Sequence, residues 1–283
     1  IQGTAGVVLA GLYASLRLTG GRLGDHKFLF YGAGEAGIGI GDLIVTAMME
    51  EGLSEAEARH HCWFFDSKGL VVAERTDLVA HKRPYAHEHP FIADLLTAVE
   101  TLKPTGVIGV AGAGKAFTQP IVETMTRLNA RPIVFALSNP TSKSECTAEE
   151  AYTWSGGQAI FASGSPLPPM ELAGKRLVPG QGNNAYIFPG VGLGVIVSGA
   201  IRIPDEMFLA SAKALAGLVT EDDLALGRVY PALDRIREVS AYIAVATAQV
   251  AYDRGLATVP KPADMLEAAK AAMYEPRYEP YVC

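Results

Sequence analysis

The chain has 283 residues, of which 49% are hydrophobic and 19% are charged, with a formal net charge of -6 and a pI near 5.6. This length can bury a large core and fits one large or two modest domains. The acidic balance lacks the basic surplus that binds a phosphate backbone, and no apolar run approaches the roughly 20 residues of a membrane span, so both composition and pattern argue against nucleic-acid and membrane partners.

The three cysteines, Cys62, Cys146 and Cys283, lie far apart and form no CxxC pair. This spacing argues against a disulfide framework or a zinc knuckle and favours a reducing, intracellular compartment. The chain opens "IQGTAGVVLAG" with neither an initiator Met nor a cleavage signal, which indicates a piece of a longer protein.

Apolar positions at helical spacing over residues 4–18 predict a first helix, which the glycines at 20 and 21 would end. Five runs typical of buried strands follow, and amphipathic helical patterns separate them. The predicted strands are 28–31, 63–65, 106–110, 132–137 and 159–163; the predicted helical stretches are 41–61, 89–102 and 118–129. The alternation predicts an α/β fold of the Rossmann type, a doubly wound and mainly parallel sheet with helices on both faces.

Beyond about residue 190 the strand pattern stops, and four helical stretches are predicted at 204–219, 220–230, 232–255 and 261–274. Thr220 precedes three acidic residues, which fits a helix N-cap better than a metal site. We therefore divide the chain into a dinucleotide-binding domain at 1–183 and a helical segment at 184–283.

A glycine-rich turn directly after the first predicted strand carries the clearest functional signal. Gly32, Gly34 and Gly37, with Glu35 and Ala36 between them, form GxGxxG at the start of a helix. The first glycine permits a tight turn, the second lets the backbone approach a pyrophosphate, and the third allows close helix packing. The turn predicts a dinucleotide site.

The next strand ends at Asp66, where an acidic residue normally binds the ribose hydroxyls of the cofactor. The distance of 34 residues from Gly32 exceeds the usual spacing of about 20, but a second helix capped by Ser54 accounts for the longer crossover. Ser67, Lys68 and Lys82 are donors suited to a 2′-phosphate, although a solvated basic surface explains them as well.

A second glycine turn at 109–115 resembles a P-loop, with Gly109, Gly114 and Lys115 at the right spacing. Ala116 stands where a P-loop needs a hydroxyl for Mg²⁺, so a nucleotide triphosphatase is the weaker alternative. We expect this turn to line the dinucleotide instead.

Two polar loops follow strands at the same predicted sheet edge. Ser138 and Asn139 come directly after the strand at 132–137, and Asn183 and Asn184 lie in a Gly/Pro-rich loop. Such loops often use Asn for turns alone, yet two of them at the mouth of one sheet predict contacts to a polar ligand.

Seven motifs, in order along nearly the whole chain, resemble malic enzymes, and their residues are most similar to those of the NADP-dependent enzymes of plants and algae. They are "IQGTAGVVLAG", "GAGEAGIGI", "DSKGLVV", "AHEH", "ALSNPTSKSECTAEEAYTW", "IFASGSP" and "PGQGNNAYIFPG". The resemblance implies oxidative decarboxylation of L-malate to pyruvate and CO₂ with reduction of NADP, assisted by Mg²⁺ or Mn²⁺, in a homo-oligomer (dimer or tetramer) of the plastid or cytoplasm.

The resemblance also implies residue roles. It makes Gly32, Gly34, Glu35 and Ala36 dinucleotide contacts, with Gly37 completing the turn and Asp66 at the adenosine ribose. It associates Ser67, Lys68 and Lys82 with the 2′-phosphate. It places Asn139 and Asn184, with Asn183 beside them, at malate near the nicotinamide. From their position after a strand we also assign Ser138 and Asn139 to the cofactor site.

In malic enzymes the metal ligands, the catalytic Tyr and the general-base Lys precede the "IQGTA" run, so the resemblance implies that this chain holds no catalytic or metal-binding residue. It would then be an inactive dinucleotide-binding part of the enzyme or, as the alternative, a binding module without catalysis. The helical segment, including Tyr242 and Ile243, would pack on the upstream domain.

Other polar residues point to structural roles. His87 and His89 are two residues apart before a proline, and His60 and His61 end a helical pattern, so we expect none of them to bind a metal. Cys62 is expected to be a buried strand residue.

Overall fold

The computed structural model describes residues 1–275, so Cys283 lies outside the described part of the chain. Its strands are β1 (Phe28–Tyr31), β2 (Cys62–Asp66), β3 (Gly69–Leu70), β4 (Gly106–Gly109), β5 (Ile133–Ala136), β6 (Ile160–Ser163), β7 (Met170–Leu172), β8 (Lys175–Leu177) and β9 (Gly180–Gln181). All five predicted strands are confirmed, whereas the pattern did not indicate β3, β7, β8 and β9, which have only two or three residues each.

The α-helices within residues 1–275 alternate with the strands at first and then follow one another. They are α1 (Gln2–Thr19), α2 (Glu35–Glu50), α3 (Glu55–His60), α4 (Leu95–Leu102), α5 (Gln119–Leu128), α6 (Ala148–Trp154), α7 (Phe188–Ser198), α8 (Asp205–Gly217), α9 (Glu221–Ala225), α10 (Ile236–Asp253) and α11 (Met265–Ala271). The predicted helical tail is therefore confirmed.

Three helix starts illustrate how local sequence fixes these bounds. Ser54 caps α3 and Thr220 caps α9, each in a reciprocal capping box, as the sequence predicts. α4 begins later than its apolar pattern suggests, because Asp94 accepts a hydrogen bond of 2.8 Å from the Thr97 N–H and so defines the N-cap.

The main sheet has seven strands in the order β3-β2-β1-β4-β5-β6-β9, and β7 and β8 form a separate hairpin. Every neighbouring pair in the main sheet is parallel except β2 and β3. The strand order reverses between β1 and β4, which gives the switch point of a doubly wound fold. The Rossmann-type fold class is thus confirmed.

Two apolar layers enclose the sheet, because successive strand side chains point to opposite faces. Phe28 and Phe30 belong to the layer with α1, α2 and α8, whereas Leu29 belongs to the layer with α4 and α5. Cys62 is fully buried in β2, as expected, and burial raises the pKa of its thiol.

The helical tail packs on the first helix of the chain: α1 contacts α8, and α10 contacts both α7 and α8. Ile243 on α10 is fully buried, and a Cβ atom at Gly190 on α7 would lie 2.5 Å from it. The expectation that Ile243 packs on the upstream domain was therefore wrong, because α7 already covers it. Tyr242, on the next position, is 40% exposed.

Candidate functional site

The glycine turn between β1 and α2 has the geometry of a dinucleotide-binding turn. Gly32 has φ of 123°, and a Cβ atom there would lie 2.8 Å from the main-chain nitrogen of Ala111. A Cβ at Gly34 would meet nothing within 4 Å, so this glycine faces open space at the start of α2. Gly37 packs against the carbonyl of Gly32, which draws the helix close to the strand.

A cavity of about 300 Å³ lies at the switch point, beside this turn. It brings together residues that are far apart in sequence. Its lining is Thr4, Ala36, Val110, Gly112, Leu137, Ser138, Asn139, Gly182, Asn183 and Asn184. The structure thus places both polar loops and the glycine turn around one space, at the carboxyl edge where open α/β sheets bind ligands.

The asparagines differ in how they are held. The carbonyl oxygen of the Asn139 side chain accepts a hydrogen bond of 2.6 Å from Ser165 Oγ, which orients the amide. The Asn183 side chain accepts one of 2.9 Å from the Ala185 N–H and so serves the local turn as well. Asn184 is exposed. Asn139 and Asn184 are therefore available to donate to a ligand in the cavity.

Asp66, at the end of β2, forms an ion-pair cluster that the sequence did not reveal in full. Arg75 donates two hydrogen bonds to its carboxylate, at 2.9 and 3.2 Å, and Lys82 donates a third at 2.6 Å. Burial favours the neutral acid, but these donors outweigh it and lower the pKa of Asp66 to about 2. The carboxylate is thus ionised and neutralised by cations on both sides.

The remaining predicted 2′-phosphate residues surround this cluster. Lys68 Nζ lies 2.8 Å from Asp77 Oδ2, while Ser67 is exposed. Arg75 also pairs with Asp77 at 2.9 Å. Sequence reasoning missed Arg75 and Thr4. Arg75 stands alone between acidic residues in a loop, and Thr4 lies in an apolar helix, so neither had a motif to mark it.

The second glycine turn does not have P-loop geometry. A P-loop leads straight into a helix at its Lys, whereas α5 begins at Gln119, four residues after Lys115, which itself has φ of 61°. Lys115 N–H donates to the Ser144 carbonyl at 3.0 Å, so the turn is tied to the loop after β5. It lines the cavity through Val110 and Gly112.

The histidines occupy structural positions. His87 Nε2 lies 2.9 Å from the Cys62 carbonyl and its ring lies 4.4 Å from Trp63, and burial lowers its pKa. His60 also stacks edge-on against Trp63, and His61 Nδ1 lies 2.8 Å from the His26 carbonyl. Over residues 1–275, no group of three His, Cys, Asp or Glu side chains could hold a metal ion.

Within the same residues, no helix is both long and apolar enough to cross a membrane.

Comparison with known proteins agrees with this geometry. The family model described as "Malic enzyme, NAD binding domain" matches residues 1–252. The chain is 55% identical to the NADP-dependent malic enzyme of Vitis vinifera, over 99% of this chain and 48% of that protein. It is 56% identical to the NADP-dependent malic enzyme of Phaseolus vulgaris, with the same coverage. It therefore spans about half the length of the curated relatives it matches.

Solved structures share the fold. The malic enzyme of Entamoeba histolytica superposes with a TM-score of 0.76 at 24% identity, covering 95% of this chain and 51% of that one. The NAD-dependent malic enzyme of Thermotoga maritima gives a TM-score of 0.67 at 25% identity, over 87% of this chain and 58% of that one. The glycine turn and the cavity beside it lie within the matched region, and the chain belongs to the malic enzyme family.

Proposed function

We propose that the full-length protein containing this chain oxidatively decarboxylates L-malate to pyruvate and CO₂ while reducing NADP, and that this chain supplies the dinucleotide site. The observation that carries the proposal is the cavity at the switch point, where the glycine turn, Ser138 and Asn139 meet Asn183 and Asn184. The relatives named NADP-dependent malic enzyme support the choice of reaction.

The proposed roles follow from where the residues lie. The pyrophosphate would sit at Gly32, Gly34 and Gly37, against the first N–H groups of α2 at Glu35 and Ala36. The nicotinamide would enter the cavity beside Ser138. Asn139, with Asn184 and Asn183, would hold malate there by donating amide N–H groups to its oxygens, because hydride transfer needs the substrate carbon close to the ring.

The ion-pair cluster supports NADP rather than NAD. An ionised Asp66 alone would bind ribose hydroxyls and repel a 2′-phosphate. Here Lys82 and Arg75 already neutralise that carboxylate, and Lys82 can turn to a phosphate while Arg75 keeps the carboxylate paired. Lys68, 66% exposed, and Ser67 add donors at the same edge.

The divalent metal of the proposed reaction does not fit the described residues. Across residues 1–275 no three His, Cys, Asp or Glu side chains are arranged to bind one Mg²⁺ or Mn²⁺ ion. We propose that the metal ligands and the acid and base of the reaction lie in the half of the protein that the relatives have and this chain does not span.

An apolar face marks where that other half would pack. α7 is apolar on all sides, yet Ile196 is 73% exposed, and Ile201 in the following loop is 71% exposed. A helix that is apolar all round is normally buried. We propose that 1–183 acts as the cofactor domain and that 184–283 packs through this face on the remaining, upstream part of the protein.

Assembly and location complete the proposal. The protein would act as a homo-oligomer, dimer or tetramer, on malate and pyruvate, without nucleic-acid or membrane partners. It would reside in the plastid or cytoplasm, since relatives such as malic enzyme 4 of Arabidopsis thaliana are named chloroplastic.

Two measurements test the proposal. Calorimetric titration of this chain with NADP should show binding, and the chain mixed with malate, Mn²⁺ and NADP should form no NADPH. The full-length protein under the same conditions should form NADPH and pyruvate in equal amounts. Dinucleotide binding without turnover by the full-length protein would instead support a binding module, and turnover by the chain alone would refute the proposed division of roles.

A further inference from the structure

A buried carboxylate lies directly behind the cavity. Glu145, in the loop between β5 and α6, is 0% exposed. Its side chain occupies the space over the end of β4 that a Cβ at Gly109 would fill. Burying a carboxylate is costly unless its oxygens accept hydrogen bonds, so a position of this kind needs a reason.

The partners of Glu145 all belong to the two loops that line the cavity. Ser138 N–H donates to Glu145 Oε2 at 3.3 Å, and the Ser138 hydroxyl donates to Oε1. Phe117 N–H, after the second glycine turn, donates to the Glu145 carbonyl at 3.0 Å. Burial raises the pKa of Glu145, and the hydrogen bonds from Ser138 and from main-chain N–H groups oppose that effect.

Ser138 passes this restraint on to the glycine turn. Gly112 N–H donates to Ser138 Oγ at 2.9 Å, so a continuous chain of hydrogen bonds runs from Gly112 through Ser138 to Glu145. Both Gly112 and Ser138 line the cavity, whereas Glu145 does not. Glu145 can therefore influence a ligand only through Ser138 and the turn.

We propose that Glu145 is a positioning residue that fixes Ser138 and, through it, the Gly112 turn at the nicotinamide end of the cofactor site. This inference rests on the proposed function. It also assigns a polarity to Ser138: a hydroxyl has one donor and two acceptor lone pairs. With the donor directed to Glu145 and one lone pair taken by Gly112, Ser138 offers a ligand one acceptor, which suits an N–H of the nicotinamide carboxamide.

The test is a double-mutant cycle in the full-length protein with Glu145→Gln, Ser138→Ala and the double variant. Gln keeps the size of the side chain but accepts with only one atom. We expect each single variant to weaken both NADP and NAD by about 3- to 10-fold, the equivalent of one ordinary hydrogen bond. The double variant should have a dissociation constant no more than about twofold above that of the single variant that binds less tightly, because both changes break the same chain of hydrogen bonds.

A matched control is Glu150→Gln. Glu150 lies five residues further along and accepts a hydrogen bond of 2.8 Å from the Thr147 N–H at the cap of α6, away from the cavity. The Glu150→Gln variant should have a slightly lower melting temperature and unchanged dissociation constants for NADP and NAD. A cofactor analogue whose carboxamide is replaced by an acetyl group should lose less affinity than NADP in Ser138→Ala, since it has no N–H to donate and loses only the positioning of the Gly112 turn.

Several results would overturn the role of Glu145. One is a fall in melting temperature with unchanged dissociation constants, which a purely structural carboxylate would give. Another is a double variant whose loss equals the product of the two single losses. If Glu145→Gln fails to fold, Ser138→Ala with the analogue still decides, because equal losses for the analogue and NADP would contradict the assigned polarity. Wild type that binds neither dinucleotide would refute the proposed function itself.

Discussion

Replacing Lys82 by glutamine tests most directly whether the ion-pair cluster around Asp66 selects NADP over NAD. Lys82 Nζ lies 2.6 Å from Asp66 Oδ2, and the two side chains are 19% and 9% exposed. Glutamine is one bond shorter than lysine and can donate only a neutral hydrogen bond to the carboxylate, and it carries no charge for a phosphate. Asp66 keeps its two bonds from Arg75, so the variant should fold.

The expected loss follows from this competition. A charge-assisted hydrogen bond to a phosphate contributes roughly 1.5 to 3 kcal/mol. Lys82 gives up part of its contact with Asp66 when it turns to the phosphate, so the net effect belongs at the lower end of this range. About 1.5 kcal/mol corresponds to NADP binding about 10-fold more weakly. NAD has no phosphate at this position, so its affinity should stay within about twofold.

Calorimetric titration of wild type and Lys82→Gln with both cofactors measures these values. Lys213→Gln is the control, because Lys213 forms an exposed ion pair with Glu50, remote from Asp66 in sequence and on a different element. Lys68→Ala should cost NADP less than Lys82→Gln, since Lys68 is 66% exposed and its ion pair is screened by solvent. Equal losses of affinity for NADP and NAD in Lys82→Gln would refute a contact between Lys82 and the 2′-phosphate and would show that Lys82 only stabilises the fold.

Three further outcomes are expected. Asp66→Asn should lower the free energy of unfolding by about 2 kcal/mol at pH 7, and about half of that difference should vanish at pH 3 in urea titrations. The reason is that a carboxyl whose pKa is lowered to about 2 loses its stabilising contribution as the pH falls from about 4 towards 2. A difference that does not change with pH would contradict this. Gly34→Ala should weaken both dinucleotides without changing the melting temperature, since its Cβ meets only open space, and Gly217→Ala, equally open, should leave binding unchanged; equal binding in both variants would place the pyrophosphate elsewhere. Gly190→Ala should lower stability by about 1 to 3 kcal/mol in chemical denaturation, because its Cβ would lie 2.5 Å from Ile243; an unchanged midpoint would show that α7 and α10 can separate at little cost.

The sequence predicted those structural features that depend on residues close to one another along the chain. The apolar runs at 28–31 and 132–137 predicted β1 and β5 because buried parallel strands need apolar side chains on both faces. Ser54 and Thr220 predicted helix starts because a cap binds an N–H only three residues away. The spacing of Gly32, Gly34 and Gly37 likewise predicted a glycine turn, because the steric limits that require these glycines act within a single turn.

What only the tertiary structure decided are contacts between distant parts of the chain. Nothing in the sequence pairs Asp66 with Arg75 or buries Glu145 behind Ser138, because such contacts depend on how loops from different strands meet at the sheet edge. Thr4 reaches the cavity for the same reason: α1 packs beside a sheet that begins more than 20 residues later. The prediction that Ile243 packs on the upstream domain was wrong, because a helical pattern locates an apolar face but not the element that covers it. Local chemistry therefore determined the elements and the glycine turn, and packing determined which charges and hydroxyls surround the cofactor site.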